Sequence, residues 1–153
     1  MQREPQDRQK GRDGRLDHEQ FKTLKGYESG REITSAMEDY LEMIFRLSEE
    51  HGPVRIKTLA ERLSVLPSSA SKMAAVLREH GLVDFERYGN VLLTGEGKVL
   101  GAYLIERHRA VHGLLCLING SDNELEETEK IEHYLSVRTV KNIERLLEAH
   151  KNP

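Results

Sequence analysis

The sequence is poor in cysteine and aromatic residues and has no long apolar run. Of 153 residues, one is cysteine, none is tryptophan and 5% are aromatic. The single cysteine, Cys116, excludes an intramolecular disulfide and a cluster of several thiolate metal ligands, and its leucine-rich neighbours indicate a small core residue. No stretch reaches the roughly 18 apolar residues of a membrane span. The charged N-terminus also lacks a signal peptide's apolar segment. We therefore expect a cytoplasmic protein without a membrane partner.

The charges are unevenly distributed along the chain. The 23 Lys and Arg residues against 26 Asp and Glu residues give a net charge of -3, which alone argues against nucleic acid. Basic residues nevertheless predominate between residues 55 and 72, and acidic residues between 122 and 133. A basic patch suits phosphates, and an acidic cluster suits a cation.

The acidic cluster contains a pattern typical of metal ligands. Read as a helix, residues 128–135 place Glu129, Glu132 and His133 on one face, at positions i, i+3 and i+4. Two carboxylates and an imidazole suit a divalent first-row metal. Three ligands leave the coordination sphere incomplete, so other segments would have to contribute. The alternative is a solvated helix face, which is common for Glu-rich helices.

The N-terminal part predicts an extension followed by an amphipathic helix. We expect residues 1–34 to be a partly disordered extension, with disorder in the first fifteen residues and a short helix from about Asp17 to Tyr27. Ser35 resembles an N-cap, and Glu38 completes a capping box. The helix that they open is predicted to end near Glu50.

A helix-turn-helix pattern follows. A short helix spans residues 56–63, a tight connection follows, and Pro67 opens a second helix that ends before Gly81. The second helix begins with small hydroxyls and a lysine, which contact phosphates and base edges in recognition helices. These candidate DNA-binding residues are Ser68, Ser69, Ser71 and Lys72. The alternative is a three-helix core that binds nothing.

Residues 82–94 read as two short strands around a Tyr-Gly-Asn turn, which makes them the wing of a winged helix. Arg87 and Asn90 would place donors near the DNA backbone. Further helices are predicted from Gly95 to about Leu117, from Asp122 to Leu135 and from Thr139 to His150. The apolar stripe of the last helix is expected to have too little partner surface within one chain, which suits a dimer contact.

The predicted fold class is mainly α. A winged helix-turn-helix domain (35–96) precedes an all-helical metal-binding and dimerisation domain (97–153).

Four motifs in order resemble the diphtheria toxin repressor family of metal-dependent transcriptional regulators, and most closely its manganese branch. They are residues 35–42, 67–73, 107–108 and 129–133, and the resemblance covers about residues 35–149. It implies a site for two Mn2+ ions per chain. The implied ligands are Asp39, Glu42, His108, Glu129, Glu132 and His133.

The resemblance also bears on metal preference. In the iron branch, the positions that match Asp39 and Glu129 hold Met and Cys, whereas here both are hard carboxylates that suit Mn2+. The iron branch often carries an SH3-like C-terminal domain, and because the sequence ends at Pro153 we expect none. The resemblance implies a homodimer that binds a palindromic DNA operator and represses manganese-uptake genes. An Fe2+-responsive repressor is the alternative within the family.

Two alternative interpretations do not involve DNA binding that is controlled by metal. One is a winged-helix regulator that does not respond to metal. The other is a di-metal carboxylate enzyme, but such enzymes usually repeat a Glu-x-x-His motif on two helices of a bundle. Here the metal motif occurs once, and no nucleophile or phosphate-binding loop stands out. We therefore expect no enzymatic activity and no small organic substrate.

Overall fold

The computed structural model describes residues 18–30 and 32–152. This part of the chain is mainly helical, as predicted, with one two-stranded sheet. Its elements are α1 (His18–Ser29), α2 (Ser35–His51), α3 (Ile56–Leu63), α4 (Pro67–Glu79), β1 (Val83–Phe85), β2 (Val91–Leu93), α5 (Gly95–Asn119), α6 (Leu125–Ile131), a 3-10 turn (Glu132–Tyr134) and α7 (Val137–Lys151). The predicted disorder of the first fifteen residues falls outside the described residues. None of the described helices has the length and apolar character needed to cross a membrane.

Helix α2 is capped one residue earlier than predicted. Thr34 is the N-cap, with extended backbone angles, and its side-chain oxygen accepts a hydrogen bond from the Met37 amide at 3.2 Å. Ser35 already lies in the first helical turn, so its prediction as the N-cap was wrong. Glu38 is not part of a capping box either, because its side chain turns inward and the residue is only 4% exposed.

The helix-turn-helix and the wing form as the sequence predicts. Ala60 of α3 and Ala70 and Ala74 of α4 are buried in the hydrophobic core. Their small side chains let the two helices approach closely. Ser64 ends α3 in the left-handed conformation at φ 55°, which turns the chain toward α4. Strands β1 and β2 pair antiparallel, and Val54 adds one bridge to Val91.

Helix α5 is the central element of the described structure, and it contacts α1, α2, α6 and α7. Its closest approach to α2 depends on Gly101. A Cβ at this position would lie 2.9 Å from the Cβ of Phe45, which is too short for a real contact. The absence of a side chain at Gly101 therefore lets α2 lie directly against α5, and this places the first turns of α2 beside residues 107 and 108.

Helix α7 is packed within the chain to a greater extent than predicted. Val140 is fully buried and Ile143 is 8% exposed, and both belong to the main hydrophobic core. The prediction that this stripe lacks partner surface within one chain was therefore wrong for these residues, because α5 covers them. Leu146 is 54% exposed and remains available for a contact outside the chain.

Cys116 is not a core residue. It is half-buried in the last turns of α5, where Leu117 and Ile118 are exposed. Its Sγ lies 3.7 Å from Nε2 of His112. The leucine-rich neighbourhood misled the prediction because α5 extends past the core at this end.

Candidate metal centre and nucleic-acid interface

All six predicted metal ligands line one open pocket of about 380 Å³. Helix α2 supplies two of them, α5 supplies one, and α6 with the following 3-10 turn supplies three. The pocket is lined by Asp39, Glu42, His108, Glu129, Glu132 and His133, together with Met43, Arg46, Leu63 and Leu125. The fold therefore brings together residues that are up to 94 positions apart in the sequence.

The three ligands from the acidic motif do not share one α-helical face. Helix α6 ends at Ile131, so Glu129 lies in the α-helix while Glu132 and His133 lie in the 3-10 turn. The chain tightens into the 3-10 turn because Leu135, directly after it, is extended and leads into α7. The amide of Leu135 donates a hydrogen bond to the carbonyl oxygen of Glu132 at 3.3 Å. The predicted continuous helix from Asp122 to Leu135 was wrong, yet the three side chains still reach the same pocket.

Glu132 and His108 form the buried side of the pocket. Glu132 is only 2% exposed, and its Oε2 lies 3.2 Å from Nδ1 of His108. This hydrogen bond to the carboxylate raises the pKa of His108 above its ordinary value, although partial burial opposes the shift. The Glu132 carboxylate therefore favours a protonated His108 imidazole unless another cation replaces the proton.

Asp39 and Glu42 form the open side. Burial raises the pKa of Asp39 above its ordinary value, and the nearby Glu42 and Glu132 carboxylates add to this effect, while His133 opposes it. Nε2 of His133 lies 3.5 Å from Oδ1 of Asp39. Arg46 donates a hydrogen bond to Glu42 at 2.8 Å.

These pairs account for much of the local charge. In the described ranges, no three Asp, Glu, His or Cys side chains are already close enough together to hold an ion. Metal binding would therefore require side chains to exchange their present partners.

A buried polar network lies directly behind the pocket, and sequence reasoning did not identify it. Glu38 forms a salt bridge with Arg107, and their side chains are 5% and 2% exposed. Tyr27 of α1 and His133 of the pocket contact the same pair. The sequence did carry a signal for this network. Glu38 is a charged residue beside the apolar stripe of α2, and Arg107 is a charged residue within the apolar face of α5.

The candidate DNA-binding residues lie on the exposed face of the winged helix. Ser68, Ser69, Ser71 and Lys72 are all exposed near the start of α4, and Arg87 is exposed on the wing. This matches the placement expected of a recognition helix and its wing.

Asn90 does not extend from the wing as predicted. Its side-chain amide donates to the carboxylate of Glu86 at 3.1 Å, so the group closes the wing turn. Tyr88, at the tip of the same turn, is 88% exposed.

The comparisons with known proteins agree with this architecture. Residues 32–91 match the family model described as "Iron dependent repressor, N-terminal DNA binding domain". The chain is 37% identical over 120 residues to the HTH-type transcriptional regulator MntR of Oceanobacillus iheyensis, covering 78% of this chain and 82% of that protein. It is 36% identical over 116 residues to MntR of Bacillus subtilis, covering 75% and 82%.

Solved structures show the same similarity. The manganese regulator SloR matches with a TM-score of 0.64 and 31% identity. A manganese-dependent transcriptional repressor in complex with manganese matches with a TM-score of 0.65 and 34% identity. Each match covers 73% of this chain, which spans about half of those chains, 53% and 52% respectively. The chain belongs to the diphtheria toxin repressor family of transcriptional regulators, whose members are DNA-binding proteins and not enzymes.

Proposed function

We propose that this protein is a manganese-responsive transcriptional repressor that acts in the cytoplasm as a homodimer and controls manganese uptake. One observation carries the proposal. The ligand-lined pocket joins α2, which lies in the predicted DNA-binding domain (35–96), to α5 and the 3-10 turn, most of which belong to the predicted second domain (97–153). An ion in this pocket is therefore in a position to affect how the two domains are held together.

The chemistry of the pocket fits Mn2+. Its candidate ligands are four carboxylates and two imidazoles, which are hard or borderline donors. The thioether of Met43 is the one sulfur group among the lining residues, and no thiol lines the pocket. Six ligands, four of which can bridge, support two ions per chain. Fe2+ is the alternative ion, since Mn2+ and Fe2+ share this ligand chemistry.

The side chains of the pocket give a physical basis for a switch. Asp39, Glu42 and Glu132 bring negative charge together, and part of it is balanced by Arg46, while His108 and His133 lie beside these carboxylates. Bound Mn2+ would supply the positive charge that these carboxylates lack. Asp39 and Glu42 would then hold α2 against the second domain, and both imidazoles would have to be neutral in order to ligate.

The proposed partner is a palindromic DNA duplex. In a two-fold dimer, two recognition helices would present Ser68, Ser69, Ser71 and Lys72 to the major groove, with Arg87 beside the backbone. Their half-sites would lie about 34 Å apart, or a multiple of this distance. Metal binding would fix the separation of the two recognition helices. Linkage then requires DNA to tighten metal binding by the same factor.

The test is DNA binding with and without Mn2+. A palindromic duplex, selected by the wild-type protein from a random library in the presence of Mn2+, is labelled and followed by fluorescence anisotropy. We expect Mn2+ to tighten binding by about tenfold or more, within the usual range of allosteric coupling. A parallel anaerobic titration with Fe2+ tests the alternative ion.

Two carboxylate variants provide the matched comparison. Glu132→Gln should lose the response to Mn2+, because the buried carboxylate faces the pocket. Glu127→Gln should keep it, because this exposed carboxylate of α6 does not line the pocket. Equal DNA affinity of the wild type with and without Mn2+ would exclude the proposed switch.

A further inference from the structure

Leu66 is an exposed apolar residue directly before the candidate recognition helix α4. The residue is 69% exposed, and among the large hydrophobic residues between 35 and 96, all of which the structure describes, only Tyr88 is more exposed. Leu63 and Val65, which precede it, pack against the main hydrophobic core. The core therefore holds the other two apolar residues of this connection, whereas Leu66 is left in contact with solvent.

Leu66 does not stabilise the start of α4 either. It is the N-cap of that helix, with extended backbone angles (φ -69°, ψ 144°), and its side chain makes no capping hydrogen bond. Ser, Thr, Asp and Asn are the preferred residues at an N-cap, because their side chains accept a hydrogen bond from an amide of the first turn. Neither core packing nor helix capping therefore accounts for a leucine at this position.

The position of Leu66 places it at the end of α4 that would enter DNA. In a helix-turn-helix protein, the N-terminal residues of the recognition helix contact base edges in the major groove. Ser68, Ser69 and Lys72, candidate DNA-binding residues of this end, are exposed like Leu66. The three polar side chains can form hydrogen bonds or ion pairs with DNA. Leu66 is the residue that adds a large apolar side chain to them.

The major groove offers one apolar partner for such a side chain. The base edges present hydrogen-bonding groups there, and thymine alone adds an apolar group, its C5 methyl. A leucine placed over cytosine would instead lie against the N4 amino group and cover a donor without accepting a hydrogen bond from it. An apolar side chain at the base edges therefore selects thymine.

We propose that Leu66 contacts the methyl group of a thymine in the major groove and so determines the base at one position of each half-site. The serines and the lysine hold α4 on the duplex, and Leu66 adds selectivity for one base. This inference rests on the proposed function, which assigns α4 to the major groove, and it adds a base preference that the proposed function does not specify.

The test compares thymine with uracil, which lacks only the C5 methyl group. The probe is the palindromic duplex that the wild type selects from a random library in the presence of Mn2+. Each thymine of one half-site, on both strands, is replaced in turn by uracil. Fluorescence anisotropy at saturating Mn2+ gives the affinity of the full-length wild type, Leu66→Ala and Leu66→Met. Leu146→Ala is the matched control, since this leucine is 54% exposed but lies on α7, outside the winged helix.

We expect uracil at one position to weaken wild-type binding by about fourfold, the effect of one methyl-sized group that is no longer buried. Leu66→Ala should remove this difference between thymine and uracil, and Leu66→Met, which keeps an apolar side chain of similar size, should retain most of it. Leu146→Ala should keep the wild-type ratio. Leu66→Ser should also lose the ratio but melt about 2–4 °C higher, because serine caps the helix, so the loss would not reflect unfolding.

Two results would overturn the inference. One is a wild type that selects a half-site without thymine, or whose affinity is unchanged by uracil at every thymine of the half-site. The other is a Leu66→Ala protein that keeps the wild-type ratio at each position, which would assign methyl recognition to another residue. Lys72→Ala, measured in the same assay, distinguishes this failure from that of the proposed function. Weaker binding of Lys72→Ala would keep α4 on the duplex, whereas unchanged binding of both variants would contradict the proposed placement of α4 as well.

Discussion

The buried salt bridge between Arg107 and Glu38 makes the sharpest prediction about stability. Arg107→Met keeps most of the side-chain volume and removes the charge. It leaves the Glu38 carboxylate, in a residue only 4% exposed, without its cationic partner. Tyr27 and His133 remain as neighbours, but a hydroxyl and an imidazole do not replace a guanidinium.

Breaking a buried ion pair on one side costs about 3–5 kcal/mol. For a domain of this size, each kcal/mol lowers the melting temperature by roughly 2–4 °C. We therefore expect Arg107→Met to melt about 10 °C below the wild type, in metal-free protein followed by circular dichroism. Chemical denaturation should show the same loss as a lower midpoint.

Two further variants separate charge from packing. Arg109→Met changes an exposed arginine of the same helix and should alter the free energy of unfolding by less than about 0.5 kcal/mol. Adding Glu38→Gln to Arg107→Met removes the unpaired charge and should restore more than half of the lost stability. A melting temperature of Arg107→Met within about 2 °C of the wild type would refute the reasoning, since it would mean that the pair is not effectively buried.

Three further predictions concern the pocket, the DNA interface and the contact between α2 and α5. Mn2+ affinity should fall as the pH is lowered, because the pKa values of His108 and Asp39 are both raised above their ordinary values and the protonated forms cannot ligate. An affinity independent of pH in a calorimetric titration would contradict this. Lys72→Ala should weaken binding to all duplexes and reduce the slope of log affinity against log salt by about one, whereas an unchanged slope would remove this lysine from the phosphate contacts. Gly101→Ala should destabilise the fold by about 1–3 kcal/mol, because the added methyl group would overpack against α2. Gly26→Ala has open space around its Cβ and should stabilise the fold by up to about 1 kcal/mol. Equal effects of the two substitutions in denaturant unfolding would refute the packing argument.

The sequence was sufficient to predict the winged helix. The pattern of apolar residues, Pro67 at the start of α4 and the Tyr-Gly-Asn turn at Gly89 are local signals, and the structure has the elements where these signals lie. Local signals failed where two adjacent residues offered the same chemistry. Thr34 and Ser35 both carry a hydroxyl, and only the path of the chain before α2 decides which one caps the helix.

The pocket was predicted in composition but not in local geometry. Spacing alone placed Glu129 and His133 on one helix face, whereas the connection to α7 converts the end of α6 into a 3-10 turn. Convergence of these residues with Asp39 depends on the packing of α2 on α5, which spacing within each segment does not reveal. The assignment of individual ligands stays a prediction.

The network behind the pocket could not be found by reading along the chain. Glu38 and Arg107 each place a charge at an apolar helix face, but they are 69 residues apart and nothing local in the sequence pairs them. Tyr27 lies in a segment that the sequence analysis treated as an extension. Its contact with the network arises only because Leu24 and its neighbours dock α1 onto the rest of the chain.

An electron paramagnetic resonance titration of Mn2+ into the metal-free protein tests the central claim most directly. The wild type is compared with Asp39→Ala, which removes one α2 carboxylate of the pocket. The account predicts that the free Mn2+ signal disappears up to about two ions per wild-type chain, as a two-ion site requires, and that the variant binds less. If the wild type left the free Mn2+ signal unchanged, the chain would have no manganese switch. Binding that is unaffected by Asp39→Ala would show that α2 takes no part in the metal centre.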